Sequence, residues 1–271
     1  MKKVQIAIYI TIIVFVFLAC QKEIQPITPT IPQPVADSCR LSESHYYGGG
    51  GVHDSALYIY TGDQLTKLSG NNYEVRYFYN GGTIHYMEYY TKPSMELYRV
   101  DTFEFNANNT LNRVRIHDYD EFWQTDTVYT ILDFIYSGNR LTRVVRYDEW
   151  AYQPGQPDTL YNDFIYSGNN ITKLLMSDPG GVFDSVVYSF DTNPNYFNPR
   201  SNYFFLQDPF FRIHVGMEPH LPYFLSENNV INFRIYDTVD YPITYQVDSS
   251  NRPLHVSQGG FDYMGYKYEC P

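Results

Sequence analysis

Two short stretches of the sequence combine carboxylate and aromatic side chains, and they are the residues best suited to recognition or catalysis. One contains Tyr119, Asp120, Glu121 and Trp123, and the other contains Tyr147, Asp148, Glu149 and Trp150. Aromatic rings stack on sugar rings while carboxylates accept hydrogen bonds from hydroxyl groups, so both stretches are candidate glycan-binding sites. Paired carboxylates also hydrolyse glycosidic bonds, which keeps a glycan-degrading hydrolase as an alternative. The simplest alternative is a solvated loop whose tryptophan packs on a neighbouring segment.

Other signatures of catalysis are absent from the sequence. It contains no Gly-x-Ser-x-Gly nucleophile elbow, no His-Glu-x-x-His zinc helix, no phosphate-binding loop and no calcium loop. His45, His53 and Asp54 flank the glycine run 48–51 and are a conceivable metal site, but the adaptable glycines favour a flexible loop. The sequence therefore predicts no catalytic residue, no metal and no cofactor, and we interpret the protein as a non-enzyme.

An internal repeat must position these residues. Segments 133–143 and 163–173 both read Asp-Phe-Ile-Tyr-Ser-Gly-Asn, followed after one variable residue by an aliphatic residue, Thr and a basic residue. Weaker copies occupy 58–67, 103–113 and 245–255, and partial copies begin at Tyr77 and Tyr188. Alternating aromatic residues indicate a strand, and Gly-Asn or Asn-Asn tolerates the positive φ of a tight turn. Each unit is therefore a predicted β-hairpin.

The repeats determine the predicted fold class. A second mark, Asp-Ser or Asp-Thr, precedes most units, at 54–55, 101–102, 126–127, 158–159, 184–185 and 237–238. Seven hairpins predict an all-β fold, an antiparallel meander of about 12 to 14 strands that curls or closes partly. Prolines among large aromatic residues interrupt the pattern at 193–229. We expect an irregular aromatic insertion with short helices there, with a disordered loop as the alternative.

The beginning of the chain is typical of an exported lipoprotein. Lys2 and Lys3 precede a 13-residue apolar stretch, which suits a signal peptide and is too short for a permanent membrane-spanning helix. Ala19 then precedes Cys20, the residue that lipoprotein processing would leave acylated, with palmitate among its lipids. We predict a signal peptide over 1–19 and membrane anchoring through Cys20. An uncleaved membrane anchor is the alternative.

A proline-rich segment separates Cys20 from the predicted domain. Residues 20–38 contain four prolines and no apolar periodicity, so we expect an extended tether of about 55 Å. The single repeat-built β domain then covers 39–271. Gln21, rather than Asp, follows Cys20, which resembles sorting signals for the outer membrane and leaves open which face carries the domain.

Cysteine positions and net charge bear on the disulfide bonding and the partners of the predicted domain. Cys39 and Cys270 bracket the domain, and an exported compartment permits a disulfide between them, with two buried free thiols as the alternative. The net charge is −11, and a signal peptide would remove two further positive charges. Nucleic acid recognition needs a basic footprint, so we expect no nucleic acid partner.

The hairpin motif, aromatic-x-Tyr-x-Gly-Asn-x-Leu/Ile-x-Lys/Arg, is similar to motifs of known proteins. Behind a lipoprotein signal and a proline tether it resembles lipoproteins of Bacteroidetes, whose hairpins are similar to the YD repeats of Rhs-type proteins. The resemblance covers roughly residues 54–268 and implies no catalytic residue. We therefore expect a lipid-anchored, non-catalytic cell-envelope module that binds a glycan or an envelope protein. A purely structural envelope component is the remaining alternative.

Overall fold

The structure, a computed structural model, describes residues 39–48, 51–119, 128–149, 158–197, 221–235 and 238–270. The predicted signal peptide, Cys20 and the tether therefore lie outside the described residues. No α-helix among the residues described is long and apolar enough to cross a membrane.

Sixteen β-strands and one short helix make up the described part of the chain. In chain order the strands are β1 (Arg40–Gly48), β2 (Gly51–Thr61), β3 (Gln64–Gly70), β4 (Tyr73–Asn80), β5 (Thr83–Thr91), β6 (Leu97–Phe105), β7 (Leu111–Asp118), β8 (Val128–Ser137), β9 (Arg140–Glu149), β10 (Asp158–Ser167), β11 (Asn170–Asp178), β12 (Gly181–Pro194), β13 (Asn228–Ile235), β14 (Val239–Val247), β15 (Pro253–Gln258) and β16 (Phe261–Glu269). The helix, α1 (Pro222–Leu225), lies between β12 and β13.

Every strand pairs antiparallel with its sequence neighbours, and β1 pairs with β16, so the meander closes into a barrel. The predicted all-β antiparallel meander is confirmed. The predicted count of 12 to 14 strands is too low, because the seven repeat units account for β2 to β15 alone. The two strands that flank them, β1 and β16, carry no repeat motif and complete the barrel by pairing with each other. Closure is therefore full rather than partial.

Up-and-down topology gives the barrel two distinct ends. The "turn end" contains the seven connections that follow the even-numbered strands, together with Cys39 and Cys270. The "loop end" contains the eight connections that follow the odd-numbered strands, among them 119–127 and 150–157. Both acidic-aromatic stretches of the sequence therefore belong to the loop end, opposite the end at which the chain enters the barrel.

Each repeat hairpin is held by the same local bonds. Gly138 and Gly168 adopt φ of 61° and 60°, the left-handed conformation that a side chain disfavours. Asn109 and Asn251 take over this role in the weaker copies, with φ of 65° and 60°. Thr recurs at one position of the motif because its hydroxyl donates a hydrogen bond to a carbonyl on the other strand of the hairpin. The donor–acceptor pairs are Thr66 to Ile59, Thr142 to Ile135 and Thr172 to Ile165, at 3.1, 3.0 and 3.2 Å.

Other motif residues join one hairpin to the next. The Tyr166 hydroxyl donates to the Leu141 carbonyl of the preceding unit at 2.9 Å. The same bond recurs from Tyr79 to Leu65, from Tyr245 to Val230 and from Tyr268 to Pro253. The Asp of one unit also forms an ion pair with the Arg that ends the previous unit, as Asp163 does with Arg143 and Asp133 with Arg113. The repeated residues thus serve chiefly to connect neighbouring hairpins.

Alternate side chains of each strand face the interior, which is filled rather than open. Its most buried members are aliphatic, including Leu65, Leu68, Val114, Ile171, Leu174 and Val230. The outer wall carries ion pairs instead, such as Arg113–Asp133, Arg115–Glu104 and Lys267–Glu43. The hydrophobic core is therefore the inside of the barrel.

The interruption of the repeat is shorter than the predicted insertion 193–229. Strand β12 continues to Pro194 and β13 begins at Asn228, because both segments find strand partners in spite of the nearby prolines. Within it, Phe197 and Phe224 are buried against the core. Residues 198–220 lie outside the described residues.

Candidate functional site

The structure places Tyr119 of one acidic-aromatic stretch and Tyr147 to Glu149 of the other at neighbouring positions of the loop end. Tyr119 directly follows β7, and Glu149 is the last residue of β9. Strand β8 lies between them, with Asp118 opposite Val128 and Tyr129 opposite Glu149. Two inter-strand spacings, about 10 Å, therefore separate the two positions. Asp120, Glu121, Trp123 and Trp150 lie outside the described residues, as does the side chain of Glu149.

Tyr119 is the predicted site residue whose geometry best suits recognition. Its side chain is 42% exposed, and its ring stacks on that of His117 with centroids 4.3 Å apart. A ring held by a neighbour loses less conformational freedom when a ligand stacks on it, so Tyr119 is pre-organised for contact.

The structure corrects the assignment of Asp148 to a solvent-facing ligand site. Asp148 is only 5% exposed and points into the barrel, where the Arg146 Nε donates to it at 3.0 Å. The Thr130 hydroxyl donates to the same carboxylate oxygen at 2.8 Å. The physical reason is strand alternation, since Tyr147 belongs to the opposite face of β9 from Asp148. Tyr147 and Asp148 therefore do not face the same ligand.

A second buried ion pair, which the sequence analysis missed, lies in the same half of the interior. Arg99 donates to both carboxylate oxygens of Asp101 at 2.7 and 2.9 Å, and the Tyr89 hydroxyl donates to Asp101 at 2.8 Å. Arg99 and Asp101 are 3% and 0% exposed. The sequence signal was the spacing Arg-x-Asp, which places both side chains on one face of a strand at 99–101 and again at 146–148.

Burial and charge pairing act on these groups in opposite directions. Burial disfavours the charged guanidinium, but the attraction of Asp101 outweighs it and raises the pKa of Arg99 above its ordinary value. Burial, and next the Asp101 carboxylate, raise the pKa of Tyr89 well above its ordinary value. Arg99 is thus a fixed cation and Tyr89 a fixed hydrogen-bond donor, so this pair is structural and does not transfer protons near neutral pH.

Asn162 and Asp184 extend the polar part of the interior. They are 4% and 9% exposed and face inward on β10 and β12. Together with the two ion pairs, they make the loop-end half of the interior polar along β6 to β12. Buried polar side chains occur at the turn end as well, where Asn195, Ser226 and Asn229 are 3%, 0% and 7% exposed. The buried Arg–Asp pairs among the described residues belong to the loop-end half.

The Asp-Ser mark of the repeat has a structural role at two strand edges. Strand β2 pairs with β3 only from Ala56, and β12 pairs with β13 only from Val186. Just before these positions, Asp54 accepts the Ser55 backbone N–H at 2.8 Å and Asp184 accepts that of Ser185 at 2.6 Å. Each carboxylate replaces a missing strand partner, which protects an otherwise exposed edge.

An aromatic crevice lies on the other side of the interior, beside β14 to β16. Phe197, Tyr223, Phe224, Tyr245, Tyr263 and Tyr266 account for most of its lining, and Gln258 contributes an amide. Its empty space is about 440 Å³, counting the part that is open to solvent. Burial raises the pKa of Tyr223 well above its ordinary value, so this hydroxyl stays neutral.

The part of the chain that the structure describes contains no group of side chains that could hold a metal ion. His45, from the conceivable metal site, has its Nε2 3.1 Å from the Glu43 carboxylate. The side chain of His53 lies outside the described residues. Gly48 and Gly51 pair with each other, so the glycine run connects β1 and β2 as a hairpin.

Comparisons with known proteins identify neighbours in structure alone. No family model matches the sequence, and no curated protein matches it. A porin-like protein from Bacteroides uniformis aligns over 84% of this chain and 98% of its own, with 10% identity and a TM-score of 0.48. A porin-like protein from Bacteroides vulgatus gives the same coverage, 11% identity and a TM-score of 0.41. The Tc holotoxin pore of Photorhabdus luminescens aligns over 80% of this chain and 12% of its own, with 13% identity and a TM-score of 0.36.

Proposed function

We propose that this protein is a lipid-anchored, non-catalytic module of the cell envelope that binds its ligand, a glycan or another protein, with the loop end of the barrel. The observation that carries the proposal is the exposed Tyr119 ring, which stacks on His117 at the loop end. The loop end lies opposite the end at which the chain enters the barrel at Cys39.

The position of the chain's entrance supports this orientation. The predicted lipid on Cys20 and the predicted tether precede Cys39, and Cys39 lies at the turn end. Tyr119 lies at the opposite end of the barrel.

The outer wall supports a barrel surrounded by water. Ion pairs such as Arg143–Asp163 and Arg113–Asp133 lie on the outside, while the interior is largely apolar. A membrane-spanning barrel has the reverse distribution, with an apolar outer band and a polar lumen. The wall therefore favours attachment through a lipid over insertion of the strands.

A glycan-degrading activity receives no support from the described geometry. One of the paired carboxylates that it would use, Asp148, is held inside the barrel by Arg146 and Thr130. A glycosidase needs both carboxyl groups at the substrate, on the two sides of the scissile bond.

Ligand capture by the loop end is tested with glycan arrays and with pull-downs from envelope extracts. We expect a partner that Tyr119→Ala and Trp123→Ala/Trp150→Ala both weaken. Ile165→Ala is the matched control, since Ile165 is 44% exposed, close to the 42% of Tyr119, but lies near the turn end. Turnover of a polysaccharide by the pure protein would overturn the proposal. Absence of any ligand, with an altered envelope on deletion, would favour the structural alternative.

The anchoring part of the proposal is tested separately by fractionation. Cys20→Ala should release the protein from membranes or leave its precursor uncleaved, because no acyl chains can then be attached. A processed Cys20→Ala protein that stays in the membrane fraction would contradict lipid anchoring.

A further inference from the structure

The disulfide at the turn end has a cation beside one of its sulfur atoms. Cys39 directly precedes β1 and Cys270 directly follows β16, and their Sγ atoms are bonded. The Arg252 guanidinium, from the turn between β14 and β15, donates through Nη1 to the Cys270 Sγ at 3.1 Å. A disulfide sulfur is a weak acceptor whereas a thiolate is a full anion, so this contact gains strength when the S–S bond breaks.

Arg252 is held in this position by its own turn and by β16. The Asp248 carboxylate accepts the Arg252 backbone N–H at 3.0 Å and the Arg252 Nε at 2.6 Å. The guanidinium also lies over the Tyr268 ring, 5.4 Å from its centroid. Asp248 engages Nε while Nη1 faces the sulfur, so the ion pair orients the guanidinium without using the nitrogen that serves Cys270. The cation is therefore in place before any sulfur becomes charged.

The bond is within reach of a reductant, and other contacts keep the two cysteines together when it is cleaved. Cys270 is exposed and Cys39 is half-buried, and exposed disulfides are the ones that exchange readily. Strands β1 and β16 are also joined by their antiparallel ladder, in which Arg40 lies opposite Glu269 and forms an ion pair with it at 3.2 Å. The two thiols therefore stay close enough to be oxidised again.

We propose that the Cys39–Cys270 disulfide is a reversible thiol–disulfide exchange site, in which a dithiol reductant attacks Cys39 and displaces Cys270 as a thiolate beside Arg252. The first sulfur of the reductant, as a thiolate, bonds to the Cys39 Sγ while the S–S bond breaks, and the electron pair of the broken bond stays on the Cys270 Sγ. The second thiolate of the reductant then attacks the first reductant sulfur and releases Cys39. The reductant gives up two electrons and two protons and becomes a disulfide, and the protein gains two thiols.

The position of Arg252 determines which sulfur leaves. Exchange is faster when the departing sulfur carries negative charge well, and an arginine beside a thiolate stabilises that charge. Attack at Cys39 sends the charge to the sulfur that Arg252 already faces. Reduction therefore frees Cys39, the residue at which the predicted tether meets the barrel, from its covalent bond to Cys270, and oxidation restores that bond.

The test measures cleavage of the bond in the folded full chain by dithiothreitol, with iodoacetamide to stop the reaction and mass spectrometry to count free thiols. Arg252→Gln should slow cleavage about fivefold or more, because the departing thiolate loses its cation. Arg40→Gln is the matched control. Arg40 adjoins Cys39 in the chain and has the same charge, but its hydrogen bonds go to Glu269 and to the Gly62 carbonyl, so its removal should change the rate less than about twofold. Thermal melting of each variant verifies that it is folded.

The position of attack is measured separately, with a pulse of 2-mercaptoethanol that is quenched with acid. We expect peptide mapping to find the mercaptoethanol mixed disulfide mainly on Cys39, and Arg252→Gln to reduce this preference about threefold. A merely structural role of Arg252 would not change which sulfur is attacked. Mixed disulfide mainly on Cys270, an unchanged preference in Arg252→Gln, or equal slowing in Arg40→Gln would overturn the inference. Cleavage that occurs only after unfolding with urea would overturn it as well.

Discussion

The turn end and the loop end of this barrel belong to the same hairpins but are stabilised by different contacts. At the turn end, residues of the repeat bond to the neighbouring unit at matching positions, as in the Tyr166–Leu141 and Arg143–Asp163 contacts. At the loop end the interior holds the Arg99–Asp101 and Arg146–Asp148 pairs. Repeated contacts therefore join neighbouring hairpins at one end, and buried ion pairs lie in the half of the interior nearer the other.

A change in a repeat turn disturbs a bond to the next unit, such as that from Tyr166 to Leu141. The loop end carries bonds between neighbouring units as well, since Lys92 donates to Ser69 and to the Gly70 carbonyl. Binding residues are commonly placed on loops that a rigid scaffold positions. The contrast between the ends can be tested by perturbing each of them.

The largest effect is expected from separating a buried ion pair of the loop-end half. Arg99→Met leaves the Asp101 carboxylate without its cation at a position that is 0% exposed. We expect a loss of about 3–5 kcal/mol in the free energy of unfolding, measured with urea. The double variant Arg99→Met/Asp101→Leu should recover most of it, because no uncompensated charge then remains. A single variant as stable as the parent would show that water reaches this half of the interior.

The second largest effect is expected from removing the disulfide that joins the two ends of the domain. Cys39 and Cys270 form a disulfide in the structure, with Cα atoms 4.1 Å apart and a sequence separation of 231. We expect Cys39→Ser/Cys270→Ser to lower the free energy of unfolding by about 2–4 kcal/mol, since the open chain gains entropy on unfolding. Peptide mapping of the purified protein without reductant should recover one 39–270 cross-link. Two thiols that alkylate in the native protein would contradict the pairing.

A smaller effect separates the tyrosines of the two ends. Tyr166→Phe removes the hydroxyl that joins two repeats at the turn end and leaves the Leu141 carbonyl without it. We expect a loss of about 1 kcal/mol. Tyr119→Phe at the loop end is the control and should be neutral, since that ring is exposed and packs by stacking. Similar losses in both variants would remove the proposed distinction.

The smallest effect is a pH dependence on the outer wall. Burial opposes the charge of Glu74, but the Arg76 hydrogen bond and the nearby Lys67 outweigh it and lower the pKa of this carboxyl group. A carboxyl whose pKa is lower in the folded state contributes stability above its unfolded pKa and loses that contribution as pH falls through the folded value. Between pH 7 and pH 3, Glu74→Gln should therefore lose less stability than the parent. Parallel urea midpoints across that range would refute it.

Much of the barrel wall follows from the sequence because its signals are local. The period-2 pattern and the glycine turns predicted the hairpins of β8–β9 and β10–β11, and Gly138 and Gly168 have the positive φ that such turns need. The sequence did not reveal that Asp148 faces inward. Its neighbours Tyr147 and Glu149 are equally polar, so nothing in the stretch marks which face is buried.

By itself, the sequence determined the hairpin unit, its strands and its turns, because backbone conformation and strand alternation depend on residues close in the chain. Only the tertiary structure decided that β1 and β16 pair and close the barrel, since neither strand carries the repeat. Closure in turn decided which alternate side chains face inward, and so converted two Arg-x-Asp spacings into buried ion pairs. The exposed Val182 and Phe183 have the same origin, because their exposure depends on where β13 stops, 50 residues further along the chain. Contacts between distant segments, rather than local propensity, therefore determined the surface that is available for binding.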